Sequence, residues 1–182
     1  MSNLIACTCS DPIPAVSFTD CPEVLRSEIV RLFIGKPGHP FSDWSDAAEW
    51  AARLSDTWQD PTAIRELKVI GDKPAPETTK ITISDRRQVV VNKAHTLNAE
   101  IDEVNDTNYD MVNDFECNGA VSLWYMTIDN KLYGGNEGIS AQIEMNDVLD
   151  RGAEAIDKLV IVATWNNKFS PARIDSPVPV NL

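Results

Sequence analysis

Proton transfer near neutral pH calls for a histidine, and this sequence has two, His39 and His95. His39 stands between Gly38 and Pro40 in a stretch that reads as a loop, and His95 lies on a polar run leading into a strand. Neither belongs to a catalytic motif, so both read as ordinary exposed or edge residues. The chain has no GxxxxGK phosphate loop, no GxGxxG after a strand, and no HExxH, GxSxG or CxxC. Carboxylates crowd the segment from Asp102 to Asp114 and invite a calcium reading, but Asp102, Asn105 and Asp106 lack the EF-hand's glycine and closing glutamate. Asp and Asn are what a helix N-terminus selects, so a solvated helix start accounts for them. The run Gly134-Gly135-Asn136-Glu137-Gly138 offers backbone N–H groups to an anion, yet no basic residue or helix start follows it closely. A tight, permissive turn suffices there.

Cysteine chemistry is equally thin. Cys7, Cys9 and Cys21 cluster near the start and Cys117 stands far away, a spacing unlike the paired ligands of a structural zinc site. Reduced thiols in an irregular segment are expected, with no catalytic residue, no cofactor and no metal. The five tryptophans, Trp44, Trp50, Trp58, Trp124 and Trp165, raise a carbohydrate platform, since aromatic faces stack on sugars. Trp124 and Trp165 sit inside apolar strand patterns and Trp44 on an apolar helix face, which predicts core. Trp50 and Trp58 fall on other faces and, with Phe41, are the candidate exposed contacts.

The elements that would carry these residues are mostly strands. Ile29–Ile34 is short, β-branched and aromatic and is bounded by Gly35, Pro37, Gly38 and Pro40, which fits a buried strand. Ser42 or Asp43 can cap a helix over 43–55 with Trp44, Ala48, Ala51 and Leu54 on its apolar face. Beyond Pro61 the period becomes two. Leu67–Val69, Ile81–Ile83, Val89–Val91 and Leu97–Ile101 read as strands separated by turn-forming groups. Asp106 or Thr107 opens a second helix presenting Tyr109, Val112 and Phe115, with Asn118-Gly119 as its C-cap. Val121–Ile128 turns at Asp129-Asn130-Lys131 into Leu132-Tyr133, a hairpin. Ile139–Met145 alternates as a half-exposed strand, and Leu159–Trp165, apolar on both faces, should be central. The expected fold is mainly β (α+β): an antiparallel β-sandwich or partly closed barrel over 25–169 with one or two packed helices. The proline-rich segments 1–24 and 170–182 are expected as extended arms, with Pro12, Pro14, Pro177 and Pro179 as further contacts to neighbours.

Composition narrows the partners. With 28 acidic and 16 basic residues the formal net charge is −12, which opposes phosphate binding and predicts no specific nucleic-acid contact. The same charge would suit a wall past which DNA slides without sticking. No run of 18 apolar residues occurs, and the opening MSNLIACTCSDPIP has no basic n-region, so neither a membrane span nor a secretion signal is expected.

A family resemblance lies in the arrangement of several segments. CTCSDPIPAVSFTDC (7–21), IVRLFIG (29–35), the run from Ile64 to Glu116 beginning IRELKVIGDKPAPE, LWYMTIDNKLYGGNEGISAQI (123–143) and VATWNNKFSPARIDSP (162–177) together resemble structural proteins of tailed Bacteroides phages, including the crAss-like group. The resemblance covers most of the chain. It implies a virion protein made in the host cytoplasm, a tail-tube or head-to-tail connector ring subunit. Such a subunit is a β-sandwich or barrel with a packed helix that forms homo-oligomeric rings around the DNA channel beside other virion proteins. No catalytic residue comes with it. A decorating capsid protein and a carbohydrate-binding adhesin using Trp50, Trp58 and a tyrosine on one open face are the alternatives.

Overall fold

A computed structural model describes residues 25–57, 59–84, 86–106, 108–110, 112, 119–149, 151 and 156–179. Nine strands are formed among them: β1 (Ile29–Gly35), β2 (Ile64–Asp72), β3 (Glu77–Thr82), β4 (Gln88–Ile101), β5 (Val121–Thr127), β6 (Lys131–Tyr133), β7 (Ile139–Val148), β8 (Lys158–Asn166) and β9 (Arg173–Asp175). Helix α1 spans Ala47–Ser55. All strand pairs are antiparallel, in the order β1-β2-β4-β8-β7-β5, and β5 returns to pair with β1. That last pairing closes a six-stranded barrel. The expected choice between sandwich and barrel therefore resolves as a closed barrel, with β3, β6 and β9 outside it.

Alternation sorts the side chains into two cores. Leu32, Ile34, Leu67, Val69, Leu97, Ala99, Leu123, Tyr125, Ile143, Met145, Ile161 and Trp165 belong to the cluster that fills the barrel. Phe33, Trp124 and Met126, at the intervening positions of β1 and β5, join Phe41, Trp50, Ile64 and Leu132 in a second cluster on the outside wall. Strand β5 is consequently buried at every position.

Helix α1 covers this outer cluster: Leu54 of the expected apolar face packs on it, with Trp44 from the lead-in, but Trp50 takes the buried place expected for Ala48 and Ala51. Asp46, not Ser42 or Asp43, is the N-cap and accepts from the Ala48 N–H at 2.8 Å. Asp43 instead closes a local turn on Ser45, at 2.6 Å to its hydroxyl. Trp50 and Arg53 are the buried positions of the helix, while Ala48 and Ala51 face solvent. Covering one indole removes far more apolar area than covering two methyl groups, and that difference sets the rotation.

Two strands expected separately, Val89–Val91 and Leu97–Ile101, are one continuous β4, because nothing between them breaks the alternation. Its second half pairs with β8 inside the barrel, and its first half pairs only with β3. Strand β8 lies between β4 and β7 as expected, though it buries chiefly Leu159, Ile161, Ala163 and Trp165 on one face. In the second helical segment, residues 106, 108–110 and 112 are helical, and Asn105 caps it by accepting from the Asn108 N–H at 2.9 Å. Val112 packs on the barrel core, whereas Tyr109 is exposed. Phe115, Asn118 and the segment 1–24 lie outside the described residues.

The boundary expected at residue 169 is corrected. Arg173–Asp175, free of proline, pair with β6, and Ile174 and Val178 pack on the outer cluster. The prolines at 171 and 177 flank this short strand without interrupting its ladder, so the tail to residue 178 belongs to the folded body.

The Gly134–Gly138 turn closes over Trp124. Its indole N–H donates to the Gly135 carbonyl at 2.7 Å, and Gly138 has φ +73°. A Cβ at Gly138 would stand 2.7 Å from the indole ring. Gly138→Ala should thus cost about 2–4 kcal/mol in urea unfolding, from positive φ and overpacking together. Ending the chain at residue 169 should lower stability by about 2–3 kcal/mol through the lost Ile174 and Val178 burial while one cooperative transition remains. An unchanged midpoint would place the tail outside the fold.

Candidate functional site

The residues singled out for contact separate sharply. Trp50 is 0% and Phe41 3% exposed, so the expectation that they form a contact surface is overturned. Trp50 packs edge-on against Phe33 at 5.0 Å and Trp124 at 5.8 Å, and tilted against Phe41 at 4.4 Å. Its indole N–H is satisfied by the Trp44 carbonyl at 2.7 Å. Arg53 lies over the Phe41 ring at 4.0 Å and donates to the carbonyls of His39 and Pro40. With these aromatics committed to the core, the carbohydrate platform loses Trp50. Pro177 is half-buried and Pro179 exposed; Pro12, Pro14 and Trp58 lie outside the described residues.

Exposed apolar side chains also stand on strands that read as an ordinary pair. Strand β3 is exposed along its whole length, and the first half of β4 is largely exposed. Together they form a two-stranded ribbon standing off the barrel. Ile81 lies opposite Val89, so the two share a face, and Val91 falls where the register shifts opposite Thr79 and Lys80. The three are 52%, 40% and 47% exposed. The signal legible beforehand was three consecutive valines in a stretch lacking a partner of comparable hydrophobicity.

A second feature is the barrel mouth, where β1 begins and β2 and β5 end. A cavity of about 610 Å³ opens there, lined by Tyr125 and Tyr133 and by charges of both signs, Arg26, Lys73, Lys131 and Arg173 with Glu28 and Asp72. The tyrosine rings stack at 4.7 Å and 9°. Burial, and next the neighbouring Tyr133, push the Tyr125 phenol well above its ordinary value, so it stays protonated. Arg26 is tied to Asp129 and Lys131 to Asp175. Lys73 and Arg173 form no ion pair among the described residues. Glu28 and Asp72 on the same lining offset them, so the mouth carries both signs of charge.

Beside it, His95 is not the edge residue expected but a buried one. Its ring stacks on Trp165 at 5.2 Å and 3°, as a cross-strand pair at the barrel end, and Nε2 lies 3.0 Å from the Asn167 carbonyl. His95 Nδ1 and Trp165 Nε1 are buried without a partner. Lys73 sits over the Trp165 ring at 5.8 Å. Among the described residues no carboxylate lines the pocket that holds the imidazole, whose polar neighbours include Thr96, Ser140 and Thr164. Among the described residues no group of three or more His, Cys, Asp or Glu is placed to hold a metal.

At the opposite end of the barrel the last residues of β4 and β7 flank the first of β8, through Ile101 opposite Leu159 and Val148 opposite Lys158. Asp102, Glu103, Asp147 and Asp157 are exposed there, together with Leu149 and Ile156.

The fold defines a closed antiparallel barrel protein. Its sequence matches no model of a known family and no curated protein. No helix of the described residues is long and apolar enough to cross a membrane.

His95 makes a pH prediction. Burial first, and then Lys73 and Lys93, depress its pKa below the ordinary 6.5, opposed by the hydrogen bond to Asn167. The unfolded chain therefore binds the proton more readily, and this stability is fully present above that value and lost as pH falls below it. Melting temperature should drop between about pH 6.5 and 5, and His95→Gln should flatten that drop. An equal slope in the variant would remove His95 as its source.

Proposed function

We propose that this protein is a virion structural protein of a tailed phage, a subunit that assembles with copies of itself into a ring or tube around a DNA passage. The β3–β4 ribbon carries this reading. Exposed Ile81, Val89 and Val91 on a ribbon without its own core suit insertion into another subunit, because a two-stranded ribbon gains its remaining burial only on docking. The net charge of −12 supports a DNA conduit, since a surface poor in uncompensated cations lets the polymer move. Extended segments at the chain ends would add neighbour contacts, although the tail to Val178 already serves the subunit's own outer cluster.

The test is a paired substitution, Ile81→Lys with Val89→Lys. Both side chains are exposed, so the melting temperature should stay within about 3 °C of the parent. Mass measured by light scattering after size exclusion should fall from oligomer to monomer. A parent chain that is monomeric alone and with other virion proteins would refute the proposal.

A further inference from the structure

We infer that His95 is an acid-sensitive latch on the mouth end of the barrel: when its ring takes up a proton, the last pairs of the β4–β8 ladder part while the rest of the barrel stays closed. This does not depend on the self-assembly reading.

One hydrogen bond fixes where the proton must go. A carbonyl can only accept, so the Nε2 atom 3.0 Å from the Asn167 carbonyl carries the hydrogen of the neutral ring, and Nδ1 is the bare nitrogen. A second proton therefore binds at Nδ1. That atom is buried and has no partner among the described residues, and the whole residue is 1% exposed. A new N–H there would be an unsatisfied buried donor on a charged ring.

The surroundings do not compensate that charge. Trp165 stacks on the imidazole at 5.2 Å, and the Lys73 ammonium lies over the same indole at 5.8 Å. Lys93, two positions before His95 on β4, adds another cation, and both lysines act against protonation. Asp72 beside Lys73 is exposed, and the chain after β8 adds Lys168. On β3, Glu77 pairs with Ala94, which alternation turns to the other face of the sheet from His95. Residues 140–142 of β7 and 164–166 of β8 include no carboxylate.

The ladder keeps the release local. Strand β8 pairs with β7 only from Lys158 to Thr164, because Ser140 and Ala141 have turned to β5. Trp165 and Asn166 are held by β4 alone, opposite His95 and Ala94, and the Asn167 N–H closes the ladder on the Lys93 carbonyl at 3.0 Å. Once these pairs part, the ring reaches water and titrates near its ordinary value of about 6.5. Burial first, and then the lysines, hold it lower in the closed barrel. The open form thus binds the proton more readily, and falling pH favours it by up to about tenfold per pH unit below that ordinary value, until the closed form also titrates. Ser170, Pro171 and Arg173, a few residues beyond Asn167, line the mouth, so the parting reshapes that cavity.

Hydrogen exchange read by mass spectrometry on the full chain tests this, with labelling times scaled for the pH dependence of intrinsic exchange. Between about pH 7.5 and 5, protection of residues 164–168 should fall about tenfold or more, while that of β5 changes by less than about twofold. His95→Gln should make the protection of 164–168 independent of pH over this range. A nitrogen-15 NMR titration of the parent chain reads the ring directly and should find it protonated on Nε2 when neutral and titrating below about 6.5. A ring that titrates at or above that value, or that carries its proton on Nδ1, overturns the latch even if the variant does not fold. Loss of protection shared equally by β5 overturns it as well, and so does a parental slope in the folded variant.

Discussion

Strand β5 has to lose water from both faces at once, and the rest of the fold follows from that requirement. Toward the barrel it presents Val121, Leu123 and Tyr125, and toward the outer wall Trp124 and Met126. The inner face is covered by closing the barrel through β1. The outer face needs a second layer, which α1, Phe41, β6 and β9 supply. Trp124 is where those pieces meet: Phe41 and Trp50 pack on it edge-on at 5.4 and 5.8 Å, and the glycine turn lies against its ring. The same turn reaches back to the helix lead-in, since Asn136 accepts from the Phe41 and Trp44 N–H groups. A single indole thereby couples the β6–β7 connection to the approach of α1.

Closure of the barrel also decides where the chain remains open to others. A six-stranded ring leaves no free edge in the barrel itself, so unpaired ladder groups are confined to the strands outside it. Strand β9 is a three-residue edge, short enough to be harmless. Strand β3 is longer and blunted by Glu77, Lys80 and threonines, yet Ile81 remains exposed beside Val89. Charge on the edge discourages indiscriminate pairing, while the apolar face keeps a specific contact attractive.

At the mouth Arg26, Lys73, Lys131 and Arg173 stand among Glu28, Asp72, Asp129 and Asp175, and at the opposite end Asp102, Glu103, Asp147 and Asp157 are exposed. Within the mouth the burial of His95 and Tyr125 keeps both rings neutral near pH 7, so the cations there are not offset by an ionised phenol.

Much of this fold was legible in the residues themselves. Alternation in Ile139–Met145, the apolar run of Leu159–Trp165, the Asp129–Lys131 turn and the core placement of Trp124 and Trp165 all depend on interactions within a few residues, so period and turn chemistry suffice to read them. What required the tertiary structure is everything that depends on a distant partner. Whether Trp50 is core or surface turns on Phe33, Phe41 and Trp124 arriving over it. His95 is buried only because Trp165 crosses opposite, and residues 173–175 form a strand only because β6 offers an edge. The segment Val89–Val91 looks like any buried strand until the barrel closes without it. Local sequence determines which residues can form strands and which face is apolar; long-range pairing decides which apolar faces find a cover and which are left for another molecule.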